Sequence, residues 1–412
     1  MFEKYVGKNG NKEGNKAVKN QLLHTPEGVR DIYNEECERK IILEGRLLSV
    51  MKSYGYHPIQ TPTFEFFDIF GKEIGTTPSR DLYKFFDREG NTLVLRPDIT
   101  PSIARCASKY YMEQAIPIRL CYTGNTFRNN SSYQGRLKEN TQSGAELIGD
   151  GSVEADAEML ALSAQLLQAA GLKEFQLSVG HADFLRGLFE AANLEEDVME
   201  EIRNLLLNRN LYGVQEVVEQ HVTDDNLKQL FGLLSDVMLD KEKITAAKAW
   251  AQDFPRVLNA LTRLEQLDEL LELYKIHKYV SYELAMISGF NYYTGIIFAG
   301  YTFGSGEAVV NGGRYDNLLK SFGKSAPSIG FAVVINQLMA ALQRQNVRIP
   351  FENTTKWFIY SEQYRQDAIK DAQVLRSRGE QVELMPLTEQ NTKDVYEKYA
   401  EENHIQDIIF YM

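Results

Sequence analysis

The sequence predicts an α+β protein of several domains, on three observations. Over 25–180, short runs rich in β-branched and aromatic residues alternate with runs of helical period. Over 181–278, Leu, Glu, Asp, Gln and Asn dominate at helical spacing, so this stretch reads as a helical insertion. After Pro350, strand and helix patterns alternate through a small α/β unit. A chain of 412 residues has ample core for two or three domains. The expected organisation is a flexible arm over 1–20, a core built from 21–180 and 279–349, an all-helical insertion over 181–278, and an α/β domain over 355–412.

Each element has a local reason. Residues 1–20 are rich in Gly, Asn and Lys and lack the apolar content to fold alone. An amphipathic helix is predicted over 37–54, stopped near Gly55. The extended segment 56–65 carries Pro58 and Pro62, which cannot donate to a central ladder and suit an edge or interface strand. A strand follows over 92–96. Thr100-Pro101 predicts a helix to about 113, with Thr100 as hydroxyl N-cap and Pro101 at the first helical position. The run 153–170 reads as helix and ends at Gly171. Within the insertion, 198–207 and 214–220 are the clearest helical stretches. Strand texture returns over 279–286 and 293–303, and Gly304-Ser305-Gly306 reads as a hairpin turn. A helix is expected over 334–345. The remainder reads as strand 357–360, helix 364–378, strand 382–386, helix 392–403 and strand 408–411.

Composition narrows the function. The net charge of −12 is a poor match for a polyanion such as tRNA, which recruits clustered Lys and Arg. Cys37, Cys106 and Cys121 are scattered, without disulfide or zinc spacing, and suit a reducing compartment. The polar start has no apolar signal segment and no run is long enough to span a bilayer, so a cytoplasmic protein is expected. There is no Gly-x4-Gly-Lys-Ser/Thr loop and no His-Glu-x-x-His, and the six histidines are dispersed. No metal or cofactor is expected.

The most informative stretch is 127–146, where Arg128, Gly135, Arg136, Gln142 and Glu146 stand at spacings that resemble the second signature motif of histidyl-tRNA synthetases. Other segments follow in the same order. Thr25-Pro26-Glu27-Gly28 with Arg30-Asp31 is similar to that family's opening turn, and Gly55-Tyr56 through Glu65 to its dimer-forming first motif. Leu95-Arg96-Pro97-Asp98-Ile99-Thr100 resembles its amino-group-binding segment, and Gly289-Phe290-Asn291-Tyr292-Tyr293-Thr294-Gly295 its histidine signature. Gly312-Gly313-Arg314-Tyr315-Asp316 and Ser328-Ile329-Gly330-Phe331-Ala332 resemble the third-motif region. The resemblance covers nearly everything from Thr25 onward. It implies a class II aminoacyl-tRNA synthetase-like core, an antiparallel sheet flanked by helices, and an anticodon-binding-like domain at the end, shortened because the family's later helix and strand do not follow 408–412.

Histidine at neutral pH offers an ammonium, a carboxylate and an imidazole with two nitrogens. A pocket selecting it wants carboxylates, aromatic hydroxyls and an amide. The resemblance assigns histidine binding to Asp98, Thr100, Arg128, Gln142, Glu146, Tyr292, Tyr293 and Tyr315. The residues alone leave a plainer reading open, in which Asp98 and Thr100 cap a helix and the tyrosines fill a core. Catalysis is another matter, because adenylate formation needs cations around the departing phosphates. Three positions that carry charge in the resembled enzymes are neutral: Asn130, Ser288 and Gln337, with Asn291 and Asn336 beside them also neutral. Each lost charge-assisted contact costs a transition state about 3 kcal/mol, so no catalysis by this chain is expected.

A synthetase-like chain with a histidine pocket and neutralised catalytic charges resembles the regulatory subunits of ATP phosphoribosyltransferase, as does 179–188 leading into the insertion. That resemblance implies a non-catalytic subunit needed for activity and for histidine feedback in the first step of histidine biosynthesis. Its implied partners are a short-form catalytic subunit in a hetero-oligomer, expected to be a hetero-octamer, a second copy of the chain in a homodimer, and L-histidine as effector, with no tRNA and no membrane. The alternatives are a diverged histidine–tRNA ligase and a synthetase-like factor acting on another amino acid or a protein.

Overall fold

The computed structural model describes residues 23–71, 77–130, 137–236, 239–286, 292–351, 354–403, 405 and 407–412, and the chain divides into two compact units, Met1–Ile349 and Pro350–Met412. The arm predicted over 1–20 lies outside the described residues.

The first unit begins with α1 (Asn34–Ser53), which buries Leu43, Leu47 and Met51 four residues apart along one face. The chain turns at Gly55, whose φ of 81° favours glycine. It continues through β1 (His57–Pro58), β2 (Phe64–Phe66), β3 (Lys84–Phe86), β4 (Thr92–Leu95), α2 (Thr100–Tyr110), β5 (Ile118–Phe127) and β6 (Glu139–Ile148). Next is α3 (Val153–Ala170), capped by the Ser152 hydroxyl on the Ala155 amide at 3.2 Å and stopped by Gly171. Nearly all its faces are apolar and buried, as expected of a helix enclosed by its neighbours. The strand β7 (Gln176–His181) then leads into six helices: α4 (Ala182–Ala191), α5 (Glu196–Leu207), α6 (Leu211–His221), α7 (Asp225–Gly232), α8 (Lys241–Trp250) and α9 (Pro255–Leu273). Asn210, Asp224 and Asp240 cap α6, α7 and α8 by accepting from backbone amides at 3.0, 2.9 and 2.8 Å. The unit closes with β8 (Val280–Tyr282), β9 (Ile296–Tyr301), β10 (Val310–Arg314), β11 (Ser328–Val334) and α10 (Ile335–Arg344).

Eight strands form one sheet in the order β1-β5-β6-β11-β10-β9-β7-β8. The central pairings are antiparallel, and only β1–β5 and β7–β8 run parallel. The Pro58 strand sits at the sheet edge, as the missing N–H demands. A second sheet, β2-β4-β3, leaves Phe64, Phe66 and Phe86 exposed.

The structure departs from the sequence pattern at three places. Thr100 is not the N-cap of α2. Ile99 occupies that place, Asp98 Oδ1 accepts from the Thr100 amide at 3.3 Å, and the Thr100 hydroxyl is used elsewhere. The strands predicted over 279–286 and 293–303 are shorter, as β8 and β9. β10 carries two glycines in five residues and does not read as a strand, yet a Cβ on Gly312 would lie 2.3 Å from the Phe298 ring and one on Gly313 2.7 Å from the Tyr293 ring. Strand propensity gives way there to close approach.

The second unit contains β12 (Lys356–Tyr360), α11 (Arg365–Ser377), β13 (Val382–Pro386), α12 (Lys393–Glu402) and β14 (Ile408–Tyr411). Its parallel sheet, β13-β12-β14, packs Trp357 and Ile359 with Ala400 of α12 on one face and Phe358 with Ala372 of α11 on the other. The period-2 alternation of β12 sets that division.

Candidate functional site

A cavity of about 810 Å³ opens over the middle of the large sheet. The sheet itself makes room for it. On β11, Gly330 pairs with Glu146 and Ala332 with Gly144 of β6, so small side chains sit together where long ones would fill the space. A Cβ on Gly330 would lie 1.6 Å from Glu146 Oε2, so the carboxyl occupies the volume that the glycine leaves.

Seven of the eight predicted histidine contacts line this cavity: Asp98, Thr100, Arg128, Gln142, Tyr292, Tyr293 and Tyr315. They come from the turn into α2, the ends of β5 and β6, the segment before β9 and the end of β10. Glu146 lies one layer below, with its oxygens held by the Thr100 hydroxyl at 2.7 Å and the Tyr315 hydroxyl at 2.5 Å. Burial pushes the Glu146 carboxyl up to about 8 against the pull of those two bonds, so it is mostly neutral at pH 7. Burial also raises Asp98, and Arg128 opposes the rise. Tyr292 donates to Asp98 Oδ2 at 3.2 Å and its ring meets Tyr315 edge-on at 5.9 Å. Gln142 Oε1 is buried and accepts no hydrogen bond, a cost of roughly 1–3 kcal/mol that a ligand N–H would remove. Acceptors on the floor and an aromatic wall together suit a donor-rich, cationic, planar ligand.

The other end of the cavity is lined by amides. Asn130, Asn140, Asn311, Asn336 and Gln337 face it, with Glu307 and Arg344. Asn336 Oδ1 is tied to the Thr141 amide at 2.8 Å, and Arg344 donates to the Gly304 carbonyl. Among the described lining residues, two arginines, Arg128 and Arg344, stand against two carboxylates, Asp98 and Glu307. A triphosphate would meet little net positive charge there. Gly135, Arg136, Ser288 and Asn291 lie outside the described residues, as do Gly289 and Phe290. Among the described residues no group of His, Cys, Asp or Glu is arranged to hold a metal, and no helix is long and apolar enough to cross a membrane.

Asn140, Asn311, Glu307 and Arg344 also line the cavity, at positions no sequence motif marks. The placement of Asn311 follows from its pairing with Ala332 across β10 and β11, which was invisible without those strands. Glu307 and Arg344 had no local signal.

Comparison with known proteins gives consistent results. The family model described as histidyl-tRNA synthetase matches residues 28–338. An ATP phosphoribosyltransferase regulatory subunit of Acetivibrio thermocellus is 39% identical over 368 residues, covering 88% of this chain and 86% of the relative. One from Ruminiclostridium cellulolyticum is 37% identical over 388 residues, 94% of this chain and 92% of the relative. Among solved structures, an ATP phosphoribosyltransferase regulatory subunit/histidyl-tRNA synthetase from Bacillus halodurans superposes with a TM-score of 0.82 at 32% identity, covering 95% of this chain and 98% of that one. A histidyl-tRNA synthetase from Nostoc, at 19% identity and a TM-score of 0.74 over 93% of this chain and 90% of that one, shares the fold.

Proposed function

The chain belongs to the ATP phosphoribosyltransferase regulatory subunits, a family with the histidyl-tRNA synthetase fold, and from that premise we propose that it is a non-catalytic regulator in histidine biosynthesis whose cavity binds L-histidine as the feedback signal. One observation carries this reading. A single cavity pairs the acceptor-rich, tyrosine-walled end expected for histidine with a nucleotide end where Asn130 and Gln337 replace charge. The first end supplies affinity for the amino acid, and the second lacks the cations that adenylate formation needs. Its partner is then a short-form catalytic subunit, in a cytoplasmic hetero-oligomer of eight chains that engages no tRNA. The exposed aromatic sheet of β2 and β3 supports a homodimer formed beside the Pro58 edge strand.

Two measurements test the proposal. Isothermal titration with L-histidine should show binding to the full chain. Histidine-dependent exchange of pyrophosphate into ATP should stay at background. Turnover above a no-protein control would favour the diverged ligase instead. When the catalytic subunit is added, phosphoribosyl transfer should rise, and histidine should suppress it.

A further inference from the structure

Asp156 of α3 is fully buried and both its oxygens are taken by arginines from different parts of the first unit. Arg314, at the end of β10, donates to Oδ1 from Nε at 2.9 Å and Nη2 at 2.5 Å. Arg263, on α9 of the helical insertion, donates to Oδ2 from Nε at 2.7 Å. The same guanidiniums grip the turn before α3: Arg314 reaches the Asp150 carbonyl at 2.9 Å, and Arg263 the Ser152 carbonyl at 2.5 Å. Arg314 immediately precedes Tyr315 of the cavity wall, and its carbonyl accepts from the Thr294 amide at 2.7 Å. A second link runs from α4, where Arg186 donates to the Tyr293 carbonyl at 2.9 Å. Both ends of the insertion are therefore fastened to the backbone that carries the tyrosine wall.

A buried ion network of this kind is weak evidence for stability, because desolvation consumes most of its attraction. Its best-attested use is to fix one arrangement of elements against another. We propose that Asp156, with Arg263 and Arg186, is a positioning device that couples occupancy of the cavity to the seating of the helical insertion. This rests on the reading of the cavity as a histidine site. A ligand pressing on Tyr293 and Tyr315 shifts the backbone held by these arginines, and α4 and α9 are the elements that feel it. Linkage requires the reverse as well: loosening the insertion must weaken the ligand by the same factor.

The test follows hydrogen exchange by mass spectrometry on the full chain, with and without saturating L-histidine, alongside calorimetric titration of wild type, Arg263→Met and Arg186→Met. Histidine is expected to slow exchange over 182–191 and 255–273 in the wild type. Arg263→Met is expected to weaken histidine binding roughly 5- to 100-fold and to reduce that protection by a matching factor. Arg263→Lys, which keeps the charge, should recover part of both. Arg186→Met, at a half-exposed position, provides the same comparison if Arg263→Met does not fold. Histidine binding without any change in exchange over these helices overturns the coupling and leaves the histidine site standing, as does wild-type affinity in both folded Met variants. Absence of histidine binding to the wild type overturns both.

Discussion

Replacing Glu146 by Gln should stabilise the free protein, by an amount that grows with pH. The buried Glu146 carboxyl is held up at about 8, against 4.5 for an unperturbed side chain. Between those values the native state keeps a proton that the unfolded chain has released, so stability falls as pH rises through the window. Below it both states are protonated and the group contributes no slope. Above it the penalty is constant. At about 1.4 kcal/mol per pH unit, the ceiling is roughly 5 kcal/mol, reached near pH 8. Gln carries no charge to desolvate, and its amide can donate to the Thr100 hydroxyl and accept from Tyr315 in the places the carboxyl now uses. Urea unfolding of both proteins at pH 5, 6.5 and 8, at constant m, reads the difference directly. The gap should be small at pH 5 and several kcal/mol at pH 8. A gap that does not change with pH would mean that Glu146 is ionised in the native protein and that the reasoning is wrong. A carboxyl kept at such a cost points to a ligand that repays it, so the same substitution should weaken histidine binding.

Other outcomes are equally open to measurement. Asp98→Asn keeps one acceptor oxygen but replaces the other with a donor and removes the charge, and should lower histidine affinity about ten- to a hundredfold in calorimetry, with unfolding midpoints little changed. The His181 ring accepts from the Asp183 amide at 3.2 Å, and burial, aided by Arg263 and Arg314, pushes it down to about 4. Its contribution is complete above pH 6.5 and is lost as pH falls through 4, up to about 3 kcal/mol, so His181→Asn should flatten that limb of the stability profile. Phe66→Asp and Phe86→Asp, on the exposed aromatic sheet, should turn a sedimenting dimer into a monomer, and an unaltered dimer would place the interface elsewhere.

Sequence legibility followed the rules that govern each segment. Helix α3 was fixed to the residue, because the Ser152 cap and the Gly171 stop both act locally. The second unit is equally plain, since β12 and β14 are short apolar-aromatic runs and β13 lies between two helical stretches. β10 is hidden in the sequence because its glycines answer to the Phe298 and Tyr293 rings, distant along the chain. The Thr100 hydroxyl before Pro101 signals a cap locally, whereas its partner is 46 residues away. The tyrosine and carboxylate end of the cavity was legible through motif order. The amide end depended on strand register and stayed hidden.

The hollow above β6 and β11 has a practical consequence. Part of its floor is built from Gly330 and Ala332, which carry almost no side chain, with the Glu146 carboxyl filling the space beside Gly330. Such a space can be lost without removing a single hydrogen bond. Two added methyls at Ala332 would occupy part of the cavity volume, while Asp98, Gln142 and the tyrosines kept their places. If the cavity is the feedback site proposed above, blindness to histidine is reachable in one step by bulk alone, and a strain selected to overproduce the amino acid should be searched for enlargements on these strands as readily as for lost polar contacts.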